Sequence, residues 1–338
     1  TASYNDVYNE SHIFNFFGGM EANSVDRVQT WFNGAGMQYD NGMLGAYNYL
    51  YFKQGSEENA QYYTVQPTAS RSVAFFGTAT YSYQGRYTIS GTARYEGTNK
   101  LGKSRSARWL PTWNVSGAWN AHEEKFWKYM EPAVSNFTLK ASYSLTADRG
   151  PANVTNSLAI VQSYNPWRPF TNVKESGLQI IEAENSDLTY EKKHELNIGA
   201  EVGFIENRIN LAFDWYKRNN FDLIGLVNSA GTGVKITKYA NVASMKSHGV
   251  EFTLSTKNIK TKDFDWNSDF IFSHAKNEVT DLHSNSRIIE MISGTGFTMA
   301  GYPVRSLFSI DFQGLNQYGQ PTFINESGNL TVSDLNFQ

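Results

Sequence analysis

Few residues in this chain combine the type and the spacing that catalysis or metal binding requires. The stretch HELNI at 194–198 begins like a zinc-binding HExxH motif, but Ile198 stands where the second His is needed. Asp281 and His283 offer two ligands without a third. The chain has no cysteine, which excludes a thiolate nucleophile and a cysteine zinc site. The sequence therefore predicts no enzyme, no cofactor and no metal site.

Two Gly-Thr-Gly triplets could suggest a phosphate-binding loop. They lie at 231–233 and 294–296. A phosphate cradle needs a strand before the glycines and a helix after them, and neither triplet has that context. Both triplets indicate ordinary loops.

Binding chemistry is concentrated in one stretch, YNPWRPF at 164–170. Two prolines with fixed φ restrict its conformations. Aromatic rings stack on sugar faces or peptide side chains, and an arginine makes paired hydrogen bonds. Packing of this stretch on neighbouring loops is an equally open interpretation. The candidate contacts for a substrate or a lid protein are Tyr164, Trp167, Arg168 and Phe170.

This stretch lies in a predicted loop, and the elements that hold the loops in place are predicted to be β-strands. In NRINLAFDWYKRN (207–219), Ile209, Leu211, Phe213 and Trp215 alternate with small or polar residues, so they share one face of a strand. A packed core or lipid could cover that face. The same alternation predicts about ten strands, near 11–23, 70–84, 86–97, 109–120, 136–147, 190–205, 207–219, 248–259, 264–277 and 305–313.

The connections between these strands alternate between short and long. Residues 84–86 and 206–207 form minimal turns, whereas 148–189, 220–247 and 278–304 form long loops. The segment 121–132 is predicted to be a short amphipathic helix. Short turns at one rim and long loops at the other are typical of an outer-membrane β-barrel, and compact soluble domains seldom have loops longer than ~15 residues.

Composition is consistent with such a barrel. Aromatic residues make up 15% of the chain, and no apolar run approaches the ~20 residues of a membrane-spanning helix. Several aromatic residues fall near strand ends, as in the interfacial girdles of barrels. They are Tyr81, Tyr83, Tyr87, Trp113, Trp119, Trp215, Tyr216 and Trp266. The net charge of −3 gives no reason to expect a nucleic-acid partner.

The stretch 187–282 resembles the C-terminal barrel of SusC/RagA-type TonB-dependent outer-membrane transporters. Segments 86–126 and 301–329 resemble earlier and later parts of the same barrel. The ordered motifs that carry the resemblance are Glu191-Lys192, Asn197-Ile198-Gly199, Asn207-Arg208, Tyr216, Asp222-Leu223-Ile224, Asn241-Val242, Gly249-Val250-Glu251, Phe264-Asp265-Trp266 and Asn277.

This resemblance implies an all-β, transmembrane antiparallel barrel of about 22 strands with a plugged lumen, in the bacterial outer membrane. It also implies a SusD-like surface lipoprotein as a lid, a glycan or peptide as substrate, and energy from the TonB complex. The chain begins without Met, and the family's N-terminal extension, TonB box and plug are not recognisable in it. We therefore expect residues 1–338 to be one partial barrel domain of a longer protein.

Specificity is expected in the long loops and in polar residues that face the lumen, such as Asn197, Glu201, Asp214 and Glu251. Two other classes remain open from the sequence. In a soluble or surface β-sandwich adhesin, the apolar faces would pack against each other. A passive porin would need no energy from TonB.

Overall fold

A computed structural model of the chain describes residues 1–333 with gaps. The gaps are at 33–36, 41–42, 48, 51–52, 55–62, 102–104, 132, 151–158, 165–175, 183, 186, 229–236, 284–297 and 326. Within the described ranges, no helix has the length and apolar character needed to cross a membrane.

The main element is one antiparallel sheet of ten strands, in which sequence neighbours are also spatial neighbours. Its edge strands are the first and last of the series. In spatial order the strands are β1 (Ala2–Tyr8), β2 (His12–Phe32), β5 (Tyr63–Tyr83), β6 (Tyr87–Thr98), β7 (Trp109–Asn120), β8 (Val134–Asp148), β11 (Glu191–Phe204), β12 (Ile209–Asn228), β13 (Thr237–Lys260) and β14 (Asp265–Leu282).

The connections of this sheet carry smaller elements. Three small sheets consist of β3 (Met37–Asp40) with β4 (Met43–Tyr47), of β9 (Ile160–Tyr164) with β10 (Gly177–Glu182), and of β15 (Asp311–Leu315), β16 (Pro321–Ile324) and β17 (Leu330–Thr331). A one-turn helix, α1 (Arg105–Arg108), precedes β7, and two 3-10 turns, Ala121–Glu123 and Lys125–Tyr129, follow it.

The strand register separates apolar from polar side chains. Directly paired residues share a face of a sheet, so each row of pairs can be followed across the strands. One row runs through Tyr87, Trp119, Leu139, Ala200, Phe213, Phe252 and Phe272. The next row runs through Thr88, Ala118, Lys140, Gly199, Asp214, Glu251 and Ser273. We call the two surfaces the apolar face and the polar face.

The apolar face is uncovered. Large side chains on it, such as Phe16, Ile89, Val115 and Phe272, are 48–59% exposed. Water-soluble monomers rarely expose a continuous apolar surface larger than a few hundred Å², whereas a barrel presents such a surface to hydrocarbon. The β-sandwich alternative is therefore wrong, because across the described strands the apolar rows do not pack against a second sheet.

The two ends of the strands differ as the sequence predicts. At one end, which we call the short-turn rim, residues 84–86, 205–208 and 261–264 join neighbouring strands. Gln84 and Gly85 have φ of 52° and 70°, the left-handed pair of a tight hairpin whose twist matches that of the strands. The opposite end, the long-loop rim, carries the long connections.

The predicted positions of the secondary-structure elements need three corrections. Residues 305–313 do not form a strand of the main sheet, since β15 begins at Asp311 and pairs with β16; the tenth strand is β1, which the alternation did not reveal. Much of the predicted loop 220–247 is strand, because β12 and β13 continue pairing to Asn228 and Thr237. The predicted helix at 121–132 is a pair of 3-10 turns.

Of the aromatic residues predicted near strand ends, Tyr81, Tyr83, Tyr87, Trp119 and Trp266 lie near the short-turn rim, whereas Trp113 and Trp215 lie in the middle of β7 and β12. A hydrogen bond of 2.8 Å joins Nδ1 of His12 to the hydroxyl of Tyr81, and the ring of His12 also contacts that of Tyr83. Tyr216 does not belong to the rings near this rim, since it lies on the polar face and is buried. Its position follows from its partner across the strands, Gly249.

Two glycines on these strands make room for aromatic rings. A Cβ atom on Gly249 would lie 2.5 Å from the hydroxyl of Tyr216 and 2.6 Å from the carbonyl oxygen of His274. A Cβ on Gly97 would lie 2.5 Å from the ring of its partner Trp109. Each missing side chain lets a ring lie flat on the backbone of the next strand, a known way of stabilising glycine in sheets.

We expect Gly249→Ala to destabilise the protein by about 1–3 kcal/mol, because the backbone oxygen of His274 cannot yield as a flexible side chain would. Urea unfolding of the full-length protein in detergent micelles measures this. The matched control is Gly91→Ala, whose Cβ would have no neighbour within 4 Å; alanine there removes backbone freedom and is expected to be neutral or slightly stabilising. Equal unfolding midpoints for the two variants would contradict the account.

Candidate functional site

The long-loop rim has a small core of its own. Leu101, Leu188 and Tyr190 are buried together, although Leu101 lies far from the other two in the sequence. Leu110, Ala147, Ile224 and Tyr239 pack around them. The hydroxyl of Tyr190 donates a hydrogen bond of 3.3 Å to the carbonyl oxygen of Arg108. We call this cluster the loop base, because it packs together the strand ends from which the connections β6–β7, β8–β11 and β12–β13 extend.

Asn241 fastens the loop base to the sheet. Its Nδ2 donates hydrogen bonds to the carbonyl oxygens of Thr189 (2.9 Å) and Asp222 (2.6 Å), and its Oδ1 accepts one from the backbone N–H of Thr189 (2.9 Å). The side chain of Asn241 on β13 thus connects the segment that precedes β11 with the register shift in β12. The register shift between Asn220 and Leu223 leaves the Asp222 carbonyl free for this bond.

Two groups near the loop base have raised pKa values. Burial raises the pKa of Tyr190 to about 12, and the negative charge of Glu96 acts in the same direction. Burial also raises the pKa of Glu191, whose carboxylate accepts a hydrogen bond of 2.8 Å from the backbone N–H of Ile224. Both shifts follow from burial, and Tyr190 is only 4% exposed.

Ion pairs line the polar face below the loop base. Arg94 bridges Glu21 (3.0 Å) and Glu96 (2.8 Å), and Glu96 also pairs with Arg149. Arg218 and Lys193 both pair with Glu195, at 3.1 and 2.7 Å. Such partly exposed pairs add little stability individually, but they place charged, hydrogen-bonding side chains along the wall.

Further toward the short-turn rim, the polar face is acidic. Lys140 forms an ion pair with Glu201. Asp214 and Glu251 are direct partners across β12 and β13. A Cβ atom on Gly199 would clash with the Asp214 carboxylate, so the glycine allows that carboxylate to lie over β11. With three carboxylates and one ammonium, this part of the wall can attract cationic or hydroxyl-rich solutes.

The four residues predicted to contact a substrate or a lid belong to the connection between β8 and β11. Tyr164 ends β9 and pairs with Gly177 of β10 through the backbone. Its side chain, and the residues Trp167, Arg168 and Phe170, lie outside the described residues. The hairpin β9–β10 that carries them was not predicted. Their role as contacts stays a prediction.

The candidate catalytic and metal-binding groups that the structure describes do not come together. His194 and Glu195 point to opposite faces of β11, since neighbouring strand residues alternate. His283 and Asp281 form an exposed pair at 3.1 Å. Across the described ranges, no three His, Cys, Asp or Glu side chains are arranged to hold a metal ion. Both Gly-Thr-Gly triplets lie outside those ranges.

Sequence reasoning missed the loop base and the Arg94 network. Leu188 belongs to the predicted loop 148–189 and Tyr190 begins the predicted strand 190–205, so nothing in the alternation indicates that both are buried with Leu101. Arg94 and Glu96 alternate within β6, but the partners Glu21 and Arg149 come from distant segments. Only the repeated charge on one side of β6 could have drawn attention to them.

The chain belongs to the family described as "TonB dependent receptor-like, beta-barrel", whose model matches residues 1–331. It is 28% identical to the TonB-dependent receptor SusC of Bacteroides thetaiotaomicron over 71% of this chain, and 25% identical to TonB-dependent receptor P3 of Formosa agariphila over 76% of it. It spans about a quarter of the length of these relatives, 25% and 26% respectively.

Solved structures agree on the fold. The structure of the RagAB peptide transporter superposes with a TM-score of 0.79 over 98% of this chain and 35% of that one, at 21% identity. The SusC/RagA-type resemblance, the antiparallel barrel architecture and the outer-membrane location are therefore confirmed. These relatives are receptors and transporters, not enzymes, which agrees with the prediction for this chain.

We expect Asn241→Ala to loosen the loop base, because three hydrogen bonds are lost at about 1 kcal/mol each. Backbone amide exchange of Thr189, measured by mass spectrometry on the full-length protein, should accelerate at least about tenfold. The matched control is Asn258→Ala, which removes an exposed amide near the short-turn rim that bonds Ser268 (2.6 Å). If both variants leave Thr189 exchange unchanged, Asn241 does not hold the loop base.

The raised pKa of Tyr190 predicts a pH dependence with a definite sign. The folded state favours the neutral phenol, so this stabilisation is complete below pH 10 and is lost as the pH rises through about 12. At pH 8, Tyr190→Phe should melt at a slightly lower temperature than wild type, because the bond to Arg108 is lost. As the pH rises toward 12, the melting temperature of the variant should fall less than that of wild type, so the difference between them should shrink. A constant difference between the two proteins across this range would exclude the effect.

Proposed function

We propose that residues 1–338 form a partial barrel domain of an outer-membrane active transporter, which imports a glycan or a peptide. The observation that carries this proposal is the division of one ten-stranded sheet into an exposed apolar face and a charged polar face. In a barrel wall, the first face meets lipid and the second lines the path of a polar solute. Membership of the TonB-dependent receptor family supports the same role.

The long-loop rim suits the capture of a substrate from outside the cell. The loop base packs the strand ends from which the long connections extend, and Tyr164, at the end of β9, pairs with Gly177 of β10 in one of these connections. In our proposal, Tyr164, Trp167, Arg168 and Phe170 contact the substrate or a SusD-like surface lipoprotein that closes over it. The RagAB relative is described as a peptide transporter, which supports a peptide as one of the two substrate classes.

Energy for import would come from the TonB complex, which acts on parts of the protein other than this barrel segment. No covalent step is needed, since the barrel wall only has to bind and release a solute. A passive porin with the same wall would let solute move only down its concentration gradient. Accumulation of solute above its external concentration therefore distinguishes a transporter from a porin.

Uptake in cells that express the full-length protein tests the proposal. The probes are a fluorescent maltooligosaccharide pool and a fluorescent oligopeptide pool, each given with and without a protonophore. We expect one pool to accumulate above its external concentration, and this accumulation to disappear when the proton gradient is removed. Uptake of either pool that is unchanged by the protonophore would favour the porin, and uptake of neither pool would contradict the substrate assignment.

The double variant Trp167→Ala/Arg168→Ala tests the proposed contacts. Losing a stacking ring and a charged hydrogen bond should reduce uptake of the accumulated pool about tenfold or more. The matched control is Lys128→Ala/Tyr129→Ala, another basic and aromatic pair, at the short-turn rim, where Tyr129 is 93% exposed. Unchanged uptake by the first variant, with the expression level checked, would remove these residues from the site.

A further inference from the structure

A group of basic side chains stands on the apolar face, where lipid is the expected neighbour. Lys217, His248 and Lys276 form one row of direct partners across β12, β13 and β14. Lys246 lies two residues along β13 on the same face, and His274 lies two residues along β14. All five are exposed. We call them the outer basic patch.

The outer basic patch lacks protein counter-ions. Across the described ranges, none of its three lysines forms an ion pair or a side-chain hydrogen bond. Glu278, the direct partner of Lys246, is the acidic side chain on the same rows. Asp222 is nearby on β12, but it is engaged by Lys192 at 2.6 Å. Asp281, opposite Ser244 on the next row of this face, pairs with His283 at 3.1 Å. Three lysines against Glu278 and Asp281 leave this part of the apolar face with a net positive charge, which attracts anions.

The patch lies at the upper edge of the hydrocarbon band. Lys217 is the ninth residue of β12, counted from the short-turn rim. At ~3.3 Å per residue and a tilt of ~45°, it stands roughly 20 Å above that rim, close to the ~25 Å height of the apolar band of a barrel. Below it on the same face are Trp215, Phe213 and Leu211. The lysines thus begin where the apolar side chains end.

A stack of aromatic rings beside the patch marks the same level. The ring of His194 lies between those of Tyr143 and Phe221, with ring centroids 5.7 and 5.6 Å apart and interplanar angles of 8° and 16°. Trp113 meets His194 edge-on. Amphipathic rings on the lipid side of a barrel collect at the interface between hydrocarbon and head groups. This places the neighbouring lysines among lipid head groups.

We propose that the outer basic patch binds the phosphate groups of an anionic lipid in the outer leaflet. The lysines supply the charge, the aromatic stack lies against the sugar or glycerol part of the head group, and the apolar rows below receive the acyl chains. A lipid is the occupant that fits, because the charged row continues directly into an apolar surface of membrane height. The site faces away from the solute path, so it is separate from transport.

Lipid binding to the purified full-length protein tests this assignment. The probes are lipid A with two phosphates and the same lipid without phosphates, titrated into detergent micelles and counted by native mass spectrometry. For Lys217→Gln/Lys246→Gln/Lys276→Gln we expect affinity for the phosphorylated lipid to fall about a hundredfold, since each lysine near a membrane surface contributes about fivefold. Affinity for the dephosphorylated lipid should not change.

The matched control is Lys257→Gln/Lys260→Gln/Lys262→Gln, which removes three exposed lysines at the short-turn rim of the same strands. It should bind phosphorylated lipid as wild type does. Equal affinity in all three proteins would overturn the proposal, as would full displacement of the lipid by millimolar inorganic phosphate, which would mean a site for free anions. Unchanged melting temperatures of the variants in micelles exclude misfolding as the cause of lost binding.

Discussion

Backbone hydrogen bonding in a medium without water is the constraint on which the rest of this structure depends. Every N–H and C=O group at membrane depth must find a protein partner, and the continuous antiparallel ladder from β1 to β14 provides these partners for its inner strands. Because the ladder fixes the pleat, each residue is assigned to one of two faces. The apolar face, the polar face and the outer basic patch are all consequences of that assignment.

The ladder also explains why particular glycines stand where they do. Gly249 and Gly97 admit the rings of Tyr216 and Trp109, and Gly199 admits the carboxylate of Asp214. Outside the loop base, the described part of the wall is a single sheet, which has no core to bury a large side chain. The side chains of Tyr216 and Asp214 on the polar face, and of Trp109 on the apolar face, pack instead onto the backbone of neighbouring strands, where glycine leaves space for them.

Much of the sheet could be predicted from the sequence. The alternation in 207–219 correctly placed Ile209, Leu211, Phe213 and Trp215 on one face, because period two is a local property of an extended chain. The short turns were equally local. The ends of the strands were harder to predict. The outer parts of β12 and β13 have the composition of a loop, and they are strands because they pair with each other. The segment 305–313 alternates like a strand of the main sheet, but only its last residues are strand, and they pair with β16. A local pattern does not show which partner a strand has.

For the sites, sequence alone determined the types of residue present, the lack of cysteine chemistry and the face on which each strand residue lies. It identified Tyr164, Trp167, Arg168 and Phe170 as candidate contacts from composition and proline spacing. Only tertiary structure decided which distant residues meet: Leu101 with Leu188 and Tyr190, Arg94 with Glu21, and Lys217 with His248 and Lys276. The reason is that alternation is set by each strand alone, whereas neighbours across strands depend on register, which all the turns and loops together determine.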